Sequence, residues 1–368
     1  MAATRPLPAT LQRLGALAGG VLAAGPAKAV DLPPNKAEAL LGFYDGGGVE
    51  ATGPALLVRK SIADKVSLSA SYSVDMVTNA SIDVVTTASP FKETRTSYDL
   101  GADYVIRDAT VSLNYYASTE PDYDVSSVGL GVSQEVFGGM TTVSAGFARS
   151  SDKVLKKNSP EFADRTLHWQ YRAGVTQVLT PRWLASLNFE AISDSGYLGS
   201  PYRVARVFGA AVPERNPRTR TSRAIKLATI GDIGGGQSVR AEYRYFWDNW
   251  AGKAHTLEGG YTRRFGEDWI ADGFVRWYTQ DAAIFYSDNA QAETTYISRN
   301  RQLSTYGTLG FGVKGEYVYR RVPGRYEVRL HGAWEFVQFK HKDFTDVRSG
   351  SLYSYEANML RLWLSASF

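Results

Sequence analysis

Apolar and polar residues alternate one by one along most of this chain, and the alternation defines the architecture before any other property is considered. In the final ten residues, MLRLWLSASF, Leu360, Leu362, Leu364, Ala366 and Phe368 fall on one face. Arg361, Ser365 and Ser367 fall on the other, with Trp363 as the exception. A period of two is a strand with one apolar face. Sixteen such segments are predicted, at 38–46, 50–62, 65–77, 96–107, 109–119, 124–137, 140–150, 163–179, 182–194, 220–231, 237–248, 253–265, 268–280, 302–319, 325–340 and 352–368. Most are long enough to cross a bilayer at a tilt, which takes about 9–11 residues.

The links between segments sort by length. Tight turns follow every second segment: Ala63-Asp64-Lys65, Arg107-Asp108, Gly138-Gly139, Thr180-Pro181, Asp232 to Gly236, Gly266-Glu267 and Val322-Pro323-Gly324. The alternate set includes long links at 78–95, 151–162, 195–219, 281–301 and 341–351, with short ones near 47–49, 120–123 and 249–252. Short turns at one end and longer loops at the other are the pattern of a transmembrane antiparallel β-barrel, with turns in the periplasm and loops outside. An even strand count also puts both termini on the side of the turns. The expected fold class is therefore all-β: a barrel of about sixteen strands in the bacterial outer membrane.

The amino end supports export. Arg5 and Arg13 flank a short apolar run from Leu14 to Gly25, and Ala27-Lys28-Ala29 is a small-x-small cleavage pattern. The expected organisation is a signal peptide at 1–29, a periplasmic segment at 30–37 and the barrel at 38–368. The 1–29 segment holds three of the 41 basic residues and none of the 37 acidic ones, so the remainder of the chain is nearly neutral and gives no argument for nucleic acid as a partner. There is no cysteine, which excludes disulfides, covalent haem attachment and thiolate metal sites. No cofactor is expected.

Strand parity assigns the faces. Val239, Ala241, Tyr243, Tyr245 and Trp247 look toward lipid, with Arg240, Glu242 and Arg244 on the inside. The same parity adds Glu258, Arg264, Asp272, Arg276, Glu327 and Arg329 to the lumen, along with His168, Glu190, Lys314, Glu316, His331 and Glu335. Both signs are interleaved, which suits water crossed by paired charges or a lumen narrowed by those pairs, and does not suit a single-sign filter. Trp183, Trp247, Trp250, Trp269, Trp277, Tyr278 and Phe368 lie near segment ends and are expected in the interfacial girdles.

Candidate chemistry is sparse. The four histidines have no metal-ligand spacing, and a Ser/His hydrolase at the rim is a distant third reading. The stretch 213–223 concentrates Arg215, Arg218, Arg220 and Arg223 and is expected as a basic extracellular loop, facing lipopolysaccharide phosphates or folded inward as an anion-attracting constriction.

The run VRKSIADKVSLSASYSVD from Val58 to Asp75, followed by ASPFKETR from Ala88 to Arg95, resembles the bacterial family known as domain of unknown function 3570. The resemblance extends over about Glu38 to Phe368 and is strongest at 55–100. It implies an outer-membrane barrel without an established activity and supplies no catalytic residues. Members are often encoded near exported redox and flavin-handling proteins, which implies a sheath or port for a periplasmic electron-transfer partner. The leading expectation from the residues is a pore or transport port for small solutes; the alternative is a scaffold for a periplasmic redox, secretion or lipoprotein partner. Outer-membrane lipid, lipopolysaccharide and the barrel-assembly machinery are the other expected partners, and Phe368 resembles the terminal aromatic signal for assembly.

Overall fold

The computed structural model describes residues 32–368 except 63, 80, 82–90 and 158; the expected export signal lies outside the described residues. The alternating segments form strands β1 (Lys36–Gly46), β2 (Val49–Ile62), β3 (Val66–Asn79), β4 (Phe91–Ile106), β5 (Ala109–Thr119), β6 (Tyr123–Val136), β7 (Thr141–Leu155), β8 (Ala163–Thr180) and β9 (Trp183–Gly196). A short hairpin comes next, β10 (Val204–Val207) and β11 (Ala210–Pro213). The series resumes with β12 (Thr219–Gly234), β13 (Gln237–Asp248), β14 (Lys253–Phe265), β15 (Trp269–Gln280), β16 (Tyr306–Val322), β17 (Tyr326–Thr345) and β18 (Leu352–Ser367).

Every strand but the hairpin pairs antiparallel with its chain neighbours, and β1 pairs with β18 from Lys36↔Ser367 to Gly46↔Ala357, closing a barrel of sixteen strands. Closure leaves no sheet edge, which is the condition for a sheet to stand in hydrocarbon. The outer wall is apolar: on β18 Leu360, Leu362 and Leu364 are each about half exposed in the isolated chain, and around the ring Leu56, Leu100, Leu113, Leu187, Leu227, Leu257, Val275 and Leu309 are equally bare. A patch this large and continuous on the outside of a closed wall is a lipid-facing belt.

Tight turns fix the register at one end. Arg107–Asp108 joins Ile106 to Ala109 with Arg107 at φ +54°, and Gly235–Gly236 joins Gly234 to Gln237 with both glycines at positive φ. Two-residue connections with positive φ match the right-handed twist of the flanking strands.

The strands run further than the alternation predicted. β4 begins at Phe91, because Phe91–Arg95 pairs with Asp75–Asn79 beyond the apolar belt. β17 continues to Thr345, although its register with β18 slips between Lys340 and Thr345. The segment expected from 302 begins instead at Tyr306, because Arg301–Leu303 forms a 3-10 turn capped by the Asn300 side chain on Gln302 N. The hairpin β10–β11 was not expected. Two of the expected girdle aromatics also belong elsewhere. Trp250 is buried in a loop, where its indole N–H donates to Thr219 O at 2.9 Å. Tyr278 points inward and packs against Tyr306, because it lies one residue out of phase with the lipid-facing Trp277.

Leu362 sits at the centre of the apolar run of β18. Leu362→Arg is expected to destabilise the barrel by about 2–4 kcal/mol, whereas Leu352→Arg at the strand's outer end costs about 0–1 kcal/mol. Reversible urea unfolding in lipid vesicles measures both.

Candidate functional site in the lumen and its mouth

The inward face of β12–β18 is a ladder of opposite charges. Gln170 on β8 donates to Glu190 on β9, which accepts from Arg244 on β13 at 3.4 Å. Lys226 on β12 donates to Glu242 at 3.0 Å. Arg240 crosses β14 to reach Asp272 on β15, with Nη2 at 3.0 Å from Oδ1, and Thr262 Oγ1 donates to the same carboxylate at 2.6 Å. Arg276 donates to Glu258 at 2.8 Å and, across β16, to Glu335 at 2.8 Å. Glu335 also lies 3.7 Å from Arg361 on β18. Nearer the turns, Arg329 joins Glu316 and Glu327, and Arg321 joins Glu327.

Two glycines leave room for side chains that lie across a neighbouring strand. A Cβ on Gly260 would stand 2.3 Å from Arg240 Cζ, and one on Gly312 would stand 2.4 Å from the Phe274 ring. On a wall where each strand's side chains fill the space above it, only a bare position lets the neighbour's side chain lie across.

Of the lumen residues read from parity, Arg240, Glu242, Arg244, Glu258, Asp272, Arg276, Glu327 and Arg329 are joined in this network, and Arg264 faces inward at its lower end. Trp363, odd in the alternation, is an inward residue: it stacks on His331 at 4.6 Å with the planes 1° apart, and Lys314 Nζ stands 5.4 Å over its ring. A lumen-facing aromatic is thus held between a histidine and a cation.

The opposite wall differs. Ser69, Ser71 and Ser73 of β3, Ser97 of β4 and Ser112 and Asn114 of β5 line it with short neutral groups. Its charges are tied down, Arg59 to Asp103 and Arg95 to Asp75 at 2.6 Å.

The four arginines expected as one basic loop are dispersed. Arg215 pairs with Glu293 at 3.0 Å, Arg218 grips both oxygens of Asp164 at 2.8 Å, Arg220 points into the barrel onto Asp248, and Arg223 faces outward on β12. The reason is that β12 already begins at Thr219, so Arg220 and Arg223 have opposite parity. Neither a common phosphate-facing patch nor an anion-attracting ring forms from them.

The two long loops instead form one body. The hairpin β10–β11 meets the loop 281–305 through bridges Val207↔Ala290 and Arg215↔Ile297, over a small core of Ala205, Val207 and Ile297. Glu214 accepts from Ser298 Oγ and Arg299 N at 2.9 Å. Arg299 then reaches Thr345 O at 2.6 Å and lies 4.4 Å over the buried Phe344 ring. On the inner wall Gln280 donates to Gln302 O and Ser304 O, and the Arg301 guanidinium stands 5.2 Å over Tyr355. Lys157 N donates to Tyr202 OH at 2.6 Å, tying the body to the β7–β8 loop. Burial pushes the Tyr197 phenol, at the root of this loop, up to about 12, with the Glu214 and Asp164 charges adding to it. The mouth is therefore overhung from β7 round to β18. Sequence reading missed this body, since neither loop shows an alternating pattern long enough to announce a strand.

Two polar clusters bear on chemistry. His168 is held between Asp194 at Nδ1, 2.5 Å, and Asp152 at Nε2, 3.0 Å. Both ring nitrogens therefore lie against carboxylate oxygens, and Ser150 bonds Asp152 instead of the histidine. Glu93, Glu120 and Asp122 bring carboxylate oxygens within 4.8 Å of one another, the one group of metal-ligand type among the described residues. Burial raises the pKa of Glu120. Phe368 lies under Lys60 Nζ at 4.9 Å, and its N–H donates to Asn35 O at 3.2 Å.

A closed sixteen-strand wall, apolar outside and ion-paired within, with turns at one end and folded loops at the other, defines a bacterial outer-membrane β-barrel. Among solved structures, a bacterial polysaccharide outer membrane secretin is 8% identical, with 90% of this chain and 97% of that chain covered and a TM-score of 0.52. CdiB from Acinetobacter baumannii is 9% identical with a TM-score of 0.50; 90% of this chain is covered, but only 60% of CdiB. At such identities the likeness is one of fold. No curated protein matches the sequence. Residues 78–321 match the family described as Protein of unknown function (DUF3570), and the chain belongs to it. The match takes in Ala88–Arg95, whereas the Val58–Asp75 run lies ahead of it.

Glu335 is only 4% exposed and holds two arginines. Glu335→Ala is expected to cost about 2–4 kcal/mol in urea unfolding, because it strands the buried Arg361 guanidinium, whereas Arg276 keeps Glu258. Gly260→Val is expected to cost about 1–3 kcal/mol by forcing Arg240 off Asp272. Combined with Arg240→Ala, its cost should fall well below that value, and a double-mutant cycle reads the difference.

Proposed function

We propose that the protein passes small hydrophilic solutes across the outer membrane. The observation that carries this reading is the wetted, charge-balanced inner wall: Arg240, Glu242, Arg244 and Lys226 keep 30–36% of their side-chain surface exposed on the lumen side while each is paired with an opposite charge. A barrel of sixteen strands encloses an aqueous interior. Paired charges of both signs offer hydration without favouring either sign, so the pore discriminates by size and polarity more than by charge. The joined loops 197–218 and 281–305 narrow the mouth on the ladder side. Among the described residues, the loops at 47–48 and 120–122 are short, and below them the wall is lined by serines. The His168 cluster supports a polar network in this reading and no hydrolytic step.

Purified protein in planar bilayers is expected to give discrete openings with cation and anion permeabilities within about threefold of each other. Replacing residues 285–300 by a short Gly-Ser link is expected to raise the conductance. Electrically silent bilayers with both forms would overturn the pore and favour a scaffold for a periplasmic partner.

A further inference from the structure

We propose that the outer wall of β7 and β8 carries a binding site for the phosphate groups of lipid A, the anionic lipid anchor of lipopolysaccharide in the outer leaflet. Lys153 and Arg165 stand directly opposite each other in the β7–β8 register, and both side chains are exposed. Both belong to the outward parity shared by Phe147 and Tyr171. Like charges directly opposed across a sheet repel, so this pairing costs stability unless an anion lies between them. Arg149 lies on the same face, two outward positions nearer the membrane, with its guanidinium 5.5 Å over the Trp169 ring. Among the described residues none of these three cations makes an ion pair. The inward cations of the same barrel are nearly all paired. Around the group the register places one acid, Asp124, opposite Lys153 on β6, and the exposed Ser151 between the two cationic levels.

The level of the site identifies its occupant. In register, the row of Leu130, Phe147, Tyr171 and Ala191 is the last wholly apolar one on this side, and the next row outward holds Val128, Arg149, Trp169 and Ser193. An aromatic ring followed by bare cations marks the passage from acyl chains to headgroups. A cation directly above the acyl chains of the outer leaflet meets lipid phosphate before any soluble anion. Lysine and arginine there bind as charge and as fork, one phosphate between Lys153 and Arg165 and a second within reach of Arg149. At the opposite end of the barrel the outward cations lie on rings at the strand ends, Lys60 over Phe368, Arg263 over Phe265 and Arg320 over Tyr326, each alone and without an opposed cation.

The test uses the full chain in detergent micelles, titrated with bisphosphorylated lipid A and, separately, with the same lipid stripped of phosphate; bound lipid is counted by native mass spectrometry. Each cation near a lipid phosphate contributes about a fivefold factor in affinity, so Arg149→Ala/Lys153→Ala/Arg165→Ala is expected to lose on the order of a hundredfold. The phosphate-free lipid is expected to bind wild type no better than the phosphorylated lipid binds the triple variant. A control triple at the other end, Lys60→Ala/Arg263→Ala/Arg320→Ala, removes the same charge and is expected to keep full affinity. Equal affinity of wild type and the β7–β8 triple would overturn the site, as would equal loss in both triples or indifference to phosphate. Should the triple fail to give the heat-modifiable band of a folded barrel, Lys153→Gln/Arg165→Gln reads the same outcome, and the two-lipid comparison on wild type decides without any variant.

Discussion

The pairing of β1 with β18 is the interaction on which the rest depends. Each backbone N–H and C=O left open in hydrocarbon costs several kcal/mol, so an unclosed sheet of this length has no stable place in a bilayer. Ladder bonds between the first and last strands remove that cost at one stroke. Once the wall is closed, its outside has one admissible composition, and the continuous belt of leucine, valine and aromatic side chains supplies it. The inside is released from the hydrophobic requirement and is free to be charged.

What the inside does with that freedom is uneven. One wall carries arginines and carboxylates that reach past a neighbouring strand to find each other, at Arg240–Asp272 and Arg276–Glu335. The other carries serines and asparagine. Ion pairs across strands are thus dense on the first wall and few on the second, where Arg59–Asp103 and Arg95–Asp75 stand among short neutral groups. The same economy governs the mouth. Two loops that would be floppy alone share a core of three buried apolar residues and a set of backbone bonds, and they are pinned to the wall by Arg299 and Arg301.

Much of this was legible in the residues because strands repeat every two positions and a barrel wall has only two sides. Sixteen segments, their order and the side of the turns come from alternation and from where Gly, Pro and Asp interrupt it. Lumen assignments such as Glu258, Asp272 and Arg276 rest on the same parity. The errors lie where position in the chain was the only guide. Position near a segment end marked Trp250 and Tyr278, and nearness in sequence grouped the arginines at 215–223, but neither reads parity or loop folding: Tyr278 goes in and Trp277 out, Arg220 in and Arg223 out, and Trp250 is buried in a loop.

The sequence by itself determined the strands, their number, their two faces and the family to which they belong, since each is a local property of period, turn chemistry or motif. Tertiary structure alone decided which arginine holds which carboxylate and that Gly260 and Gly312 are bare so that a neighbour's side chain can cross. It also decided that loops 80 residues apart become one body, with Gly209 N donating to the Asn289 side chain at 2.8 Å. These are relations between residues far apart in the chain, fixed by strand tilt and register across several strands, and no window of sequence contains both partners.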